Sequence, residues 1–151
     1  DRLVPFLEGI HASHIASGQG DPYLTGTGHS YGSTTLGIAL TQVNEGVVDA
    51  AILAGSPGAG VQDILEYRLE AGDAYVSGVP SGDGIVGLGA DGIFGKNPMT
   101  LNGFTHLSND IGDISDESVI DKLNPIRNHS IYMQSGTEAF TDIARVVGDA
   151  K

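Results

Sequence analysis

Leu3, Leu7, Ile10 and His14 follow one another at spacings of four, three and four residues, which places their side chains on one face of an α-helix. Residues 2–15 therefore read as an amphipathic helix, with Pro5 in the first turn, where the missing N–H costs nothing. The stretch from Ser17 to Pro22 is a loop by composition, and Tyr23 to Gly28 reads as a short strand weakened by its two glycines. From Tyr31 the period returns to 3.6, with Leu36, Ala39, Leu40 and Val43 on one face, and Asn44 to Gly46 supply the stop.

Val47 to Ala54 is a nearly continuous apolar run between Gly46 and Gly55, the pattern of a strand buried on both faces of a parallel sheet. Residues 62–69 read as a short crossover helix. Ala74 to Val79 reads as a strand and Asn102 to Leu107 as a weaker last one. Asp116 to Leu123 reads as a short helix, capped by Ser115 or Asp116, and Glu138 to Val147 as a closing helix. Strands alternating with helices, without an internal repeat, predict an α/β fold with a mostly parallel sheet and flanking helices.

Composition narrows the function. A chain of 151 residues has room for about one domain. Its 23 glycines follow no three-residue period, which excludes collagen. Seven basic against 19 acidic residues give a net charge of −12, so no basic stripe is available and nucleic acid is not an expected partner. No apolar run approaches the ~20 residues of a membrane-spanning helix, so a soluble chain is expected. The absence of cysteine removes disulfides, thiolate metal sites and cysteine nucleophiles. The first residues lack the basic and apolar stretches of a signal peptide, leaving both a cytoplasmic and a secreted location open.

Gly28-His29-Ser30-Tyr31-Gly32 is a G-x-S-x-G pattern between a predicted strand and a predicted helix, the setting of a nucleophile elbow. Both glycines are expected to remove Cβ atoms that would collide across the turn, with Ser33 and Thr34 small enough for close packing. A helix beginning after Ser30 directs N–H groups toward an oxyanion, and the Tyr31 amide is the natural first donor. A serine hydroxyl needs a histidine in reach and a carboxylate to orient it. The expected chain order is serine, then acid after a later strand, then histidine after the last strand.

Asp83 lies 53 residues after Ser30, just beyond the strand that starts at Ala74, and His129 lies 46 residues further on. Asp83 is favoured over Asp73, which precedes its strand, and over Asp91 in a later glycine-rich loop. His129 is favoured over His106, which falls within the last strand. His11 and His14 belong to the first helix, and His29, joined to the nucleophile, is expected to point away; all three read as packing or surface residues.

The segments Gly28-His29-Ser30-Tyr31-Gly32-Ser33-Thr34-Thr35, Gly55-Ser56-Pro57-Gly58 and His129-Ser130-x-Tyr132, the last followed by Gly136-Thr137-Glu138, resemble an actinobacterial branch of the α/β-hydrolases known as a domain of unknown function. The likeness runs from about residue 20 to 148. It implies Ser30 as nucleophile, Asp83 as acid and His129 as base, and leaves the substrate open; acyl-enzyme chemistry at such a triad requires no metal or organic cofactor. In that fold several strands and the loop with the second oxyanion donor precede the nucleophile, whereas here 27 residues precede Gly28. Residues 1–151 are therefore expected to form a single hydrolase-like domain lacking those strands, to be completed by a partner chain or an N-terminal segment.

Two other signals carry less. Gly87-Leu88-Gly89-Ala90-Asp91-Gly92 satisfies G-x-G-x-x-G but is followed by Ile93 to Pro98 rather than a helix start, so it reads as a loop over the sheet's carboxyl edge that borders a substrate pocket. Asn109, Asp110, Asp113, Asp116 and Glu117 lack the alternating oxygens of a calcium loop and read as a solvated segment. The expected function is a serine hydrolase acting on a small carboxylic ester or related acyl substrate; the alternative is a non-catalytic part of a larger hydrolase that serves assembly.

Overall fold

The apolar run ending at Ala54 becomes the most buried strand of the sheet. In the computed structural model, which describes residues 2–78, 83–89, 92–108 and 124–148, β2 spans Ala50–Ala54 and all five of its residues are fully buried. It lies between β1 (Thr25–His29) and β3 (Ala74–Ser77), and β4 (Thr105–His106) pairs with the far side of β3. The order β1-β2-β3-β4 follows the chain, and each neighbouring pair is parallel. A central strand of small and β-branched residues suits this position, since helices must cover both its faces.

Alternation along β2 divides the core. Ala51 and Leu53 face α1 (Leu3–Ala16) and α2 (Tyr31–Leu40), packing with Leu7, Leu36, Leu40 and Val76. Ile52 and Ala54 face the opposite layer, where Ile131, Tyr132, Ala139 and Ile143 come from the C-terminal helices. That layer contains α3 (Pro125–Ser130), a 3-10 turn over Ile131–Met133, and α4 (Glu138–Gly148). No helix of the described residues is long and apolar enough to cross a membrane.

The parallel sheet with flanking helices read from the sequence is the observed one, but the strict alternation is not: only a 3-10 turn separates β2 from β3, and no helix among the described residues lies between β3 and β4. Residues 62–69 form only a 3-10 turn over Ile64–Glu66. Asp63 and Glu66 build a capping box on that turn, but the chain beyond it is held in other ways. The Arg68 N–H donates to the Leu40 carbonyl, and the Tyr67 hydroxyl donates to that of Ala59. Burial, with a smaller contribution from Glu66, pushes the Tyr67 phenol well above its ordinary pKa and keeps it a donor.

The second strand begins at Ala50 rather than Val47; Val47 and Val48 are buried ahead of it. The Asp49 carboxylate accepts the Leu24 N–H at 2.6 Å and joins the entries to β1 and β2. The last strand shrinks to two residues, although the Leu107 N–H still reaches the Val76 carbonyl at 2.9 Å. In α1 only Leu7 is buried, and Ile10, expected inward, is 38% exposed. The helix expected over residues 116–123 lies outside the described residues.

Leu53 is fully enclosed on the α1–α2 side of the sheet. Leu53→Ala should therefore lower the unfolding free energy by about 2–5 kcal/mol, through lost transfer energy and a residual cavity, as read by urea denaturation.

Candidate active site

At the carboxyl end of β1 the chain turns into α2 through Ser30, whose φ of 56° and ψ of −133° make it the one non-glycine residue with positive φ among those described. Such backbone costs about 1–3 kcal/mol and persists only where its surroundings hold it. Here the Ser30 N–H donates to the Ala54 carbonyl at 2.9 Å, extending the β1–β2 ladder. On the other side, the Ser30 carbonyl accepts the Ser33 N–H at 2.9 Å and the Ser33 hydroxyl at 2.5 Å.

The two glycines of the motif differ in their reason. A Cβ on Gly28 would stand 2.6 Å from Ser33 Cα and 2.8 Å from the Gly32 carbonyl oxygen, so glycine is required where the helix doubles back. A Cβ on Gly32 would meet nothing within 4 Å, which corrects the expectation that both glycines relieve crowding. Ser33 and Thr34 are buried, and the Thr34 hydroxyl donates to the Gly58 carbonyl at 2.7 Å.

Although Ser30 precedes the first residue of α2, its hydroxyl does not cap that helix. Its Oγ lies 2.7 Å from His129 Nε2. His129 Nδ1 lies 2.9 Å from Asp83 Oδ2 and 3.1 Å from Oδ1. A carboxylate can only accept from Nδ1–H, which leaves Nε2 as an acceptor facing the serine hydroxyl. Asp83, His129 and Ser30 are thus brought into one hydrogen-bonded chain across sequence separations of 46 and 99 residues. Tyr31 begins α2, so its amide is among the helix's first N–H groups, which have no intrahelical acceptor.

The Asp83 side chain is fully buried and that of His129 is 15% exposed. A buried carboxylate needs every lone pair occupied. Besides His129, Asp83 Oδ1 accepts the Ile85 N–H at 2.8 Å, and Oδ2 accepts the Tyr132 hydroxyl at 2.8 Å. Tyr132 is fully buried, and sequence reasoning gave it no role of its own, although it stood in the His129-Ser130-x-Tyr132 segment. Gly55, at φ 54°, completes the enclosure: a Cβ there would lie 2.8 Å from the Tyr132 ring and 3.2 Å from both Asp83 Oδ2 and His129 Cε1.

His129 itself sits in α3. Asn124 caps that helix by accepting from the Ile126 and Arg127 amides, and Pro125 follows in the first turn. His29, expected to point away, instead directs Nε2 at the His129 carbonyl, 2.6 Å distant. A carbonyl only accepts, so His29 is the donor. The two imidazoles stack at a centroid distance of 4.7 Å, and the Tyr132 ring lies 5.8 Å from that of His29.

The other candidates fall elsewhere. His106 lies in β4, while His11 pairs with Asp21 at 2.8 Å and His14 with the Gly20 carbonyl at 3.1 Å. Asp73 precedes β3 and Asp91 is outside the described residues. Among the described residues no three His, Asp or Glu side chains converge as a metal site requires. A cleft bordered by Ile64, Tyr67, Gly72, Ala74 and Gly103 opens at the amino ends of β3 and β4, away from Ser30.

An all-parallel sheet with helices on both faces, and a strained serine where its edge strand meets a helix, is the architecture of an α/β protein whose chemistry sits at the strand ends. The sequence matches a family model described as alpha/beta hydrolase over residues 2–86, more than half of its length, and the chain belongs to that family. The matched span includes Ser30 and Asp83 and ends before His129. A hydrolase-type function follows from this membership. No curated protein and no solved structure gives a significant match.

Two substitutions probe the enclosure. Tyr132→Phe should cost about 1.5–3 kcal/mol in urea denaturation, because a buried carboxylate loses a donor. Gly55→Ala should cost at least the ~1–2 kcal/mol of a left-handed alanine and should displace the His129 ring, read as a changed imidazole NMR spectrum.

Proposed function

We propose that the chain is a serine hydrolase acting on a carboxylic ester or related acyl group. The observation that carries this reading is the 2.7 Å approach of Ser30 Oγ to His129 Nε2, with the opposite ring nitrogen on Asp83. As Ser30 attacks the acyl carbon, His129 takes its proton at Nε2, and the buried Asp83 carboxylate stabilises the imidazolium that forms. The Tyr31 N–H, at the positive end of α2, meets the oxyanion. Collapse of the tetrahedral intermediate expels the alcohol, protonated by His129, and leaves an acyl ester on Ser30. Water then attacks the acyl carbon and gives its proton to His129; as the bond to Ser30 breaks, the acid leaves and His129 returns that proton to the Ser30 oxygen.

A second oxyanion donor is part of the same reading. Among the described residues β1 is an edge strand of the sheet, with β2 on one side only. A further strand, from a partner chain or an N-terminal segment, added to that edge would complete one hydrolase-like domain and bring its own N–H close to Ser30. One such donor is worth about 10²–10³ in rate.

Intact-mass labelling with a fluorophosphonate tests the proposal. The folded chain should label once, Ser30→Ala should not label, and His129→Ala should slow labelling by about 10³ or more. Labelling that survives Ser30→Ala would move the nucleophile elsewhere. A folded chain that takes no label would not be a self-sufficient serine hydrolase, which favours the assembly reading.

A further inference from the structure

The residue after Ser30 is one of several large apolar side chains held out in solvent at this end of the sheet. Tyr31 is 63% exposed, Leu88 73% and Ile93 84%. The Tyr31 ring meets Phe94 edge-on at a centroid distance of 5.8 Å, and Phe94 is the chain neighbour of Ile93. The Phe94 N–H donates to the Gly89 carbonyl at 3.1 Å, which joins the backbone beside Leu88 to that of Phe94.

This group is tied to the chain leaving β2. The Gly87 and Gly89 amides donate to the Ser56 and Pro57 carbonyls at 2.9 and 3.2 Å, and Gly60 donates to the Phe94 carbonyl at 2.7 Å. The same stretch starts at the acid, where the Ile85 N–H binds Asp83. The segment that supplies the carboxylate therefore also carries a leucine and an isoleucine outward, next to the first residue of the nucleophile's helix. Between Asp83 and Gly95 the sequence carries two charged residues, Asp83 and Asp91, and the first is buried. Hydrophobic residues exposed singly need no explanation; Leu88 and Ile93 from this stretch, together with Tyr31 of α2 and the half-buried Phe94 it touches, do.

We infer that Tyr31, Leu88, Ile93 and Phe94 form an open platform for the hydrocarbon chain of the substrate, which assigns the site to medium-chain aliphatic acyl esters rather than acetyl esters. The inference rests on Ser30 being the nucleophile. Tyr31 directly follows Ser30 and touches Phe94, so an alkyl chain extending from an acyl carbon at Ser30 starts beside this group. A fully buried methylene contributes about fourfold in affinity, and one covered on a single side about half that free energy, roughly twofold.

The test is the rate at which fluorophosphonates with two-, four- and eight-carbon alkyl chains label Ser30, followed by intact mass. The rate should rise roughly twofold per methylene, about 60-fold from two to eight carbons. Leu88→Ser/Ile93→Ser, which alters exposed side chains and should leave the circular dichroism melting curve unchanged, should flatten that rise. Leu65→Ser, an equally exposed leucine at 86% near the opposite end of the sheet, should preserve it. Labelling at Ser30 with no dependence on chain length, or a dependence that survives Leu88→Ser/Ile93→Ser, overturns the platform and leaves the nucleophile intact. A folded chain that none of the three probes labels overturns both.

Discussion

A carboxylate with no access to water must find its hydrogen-bond donors within the protein, and Asp83 is in that position. Its donors come from its own turn, at Ile85, and from the C-terminal layer, at His129 and Tyr132. Meeting this requirement fixes where α3 and the following 3-10 turn sit on the sheet. It also fixes the His129 ring, because only one face of the imidazole edge can meet the carboxylate while the other meets Ser30. His29 holds the same residue from the backbone side, with its N–H on the His129 carbonyl. The residue before the serine thus anchors the partner of the serine.

The sheet makes this possible by register. Pairing of His29 with Ala54 and of Ala54 with Ser77 brings three strand ends to one level. Ser30 follows the first, Gly55 the second, and the turn with Asp83 comes after the third. A one-residue slip between β1 and β2 would remove the Ser30 N–H from the Ala54 carbonyl and release the strained turn. Full burial of Ala50 to Ala54 opposes such a slip by packing both faces of β2 against helices.

Much of this was legible in the chain because local and long-range requirements coincide. The apolar run before Gly55 could only be an inner strand, and Ser30, Asp83 and His129 follow β1, β3 and β4 in the order a parallel sheet demands. The failures have physical causes. Residues 62–69 carry helix-compatible side chains, yet backbone and side-chain bonds to Leu40 and Ala59 hold that stretch open after one turn. The helix bearing His129 was overlooked although Asn124-Pro125 is a start signal, since only six residues follow before the chain tightens. Tyr132 and His29 act through tertiary contacts 49 and 100 residues apart in sequence, which no local pattern reveals. Gly32 shows the opposite error: a motif position was given a steric duty that the fold does not impose.

The sequence order of the strands has a kinetic consequence. Each strand pairs with the next one made, so the sheet can grow by adding neighbours, and each step closes a loop of modest length. The hydrogen-bonded chain from Ser30 to Asp83 cannot grow in this way. It closes only when α3 arrives from near the C-terminus, joining residues 99 and 46 positions apart. The hydrogen bonds that join Ser30, His129 and Asp83 therefore require the C-terminal layer to have docked, a condition that a spectroscopic measure of sheet content does not report.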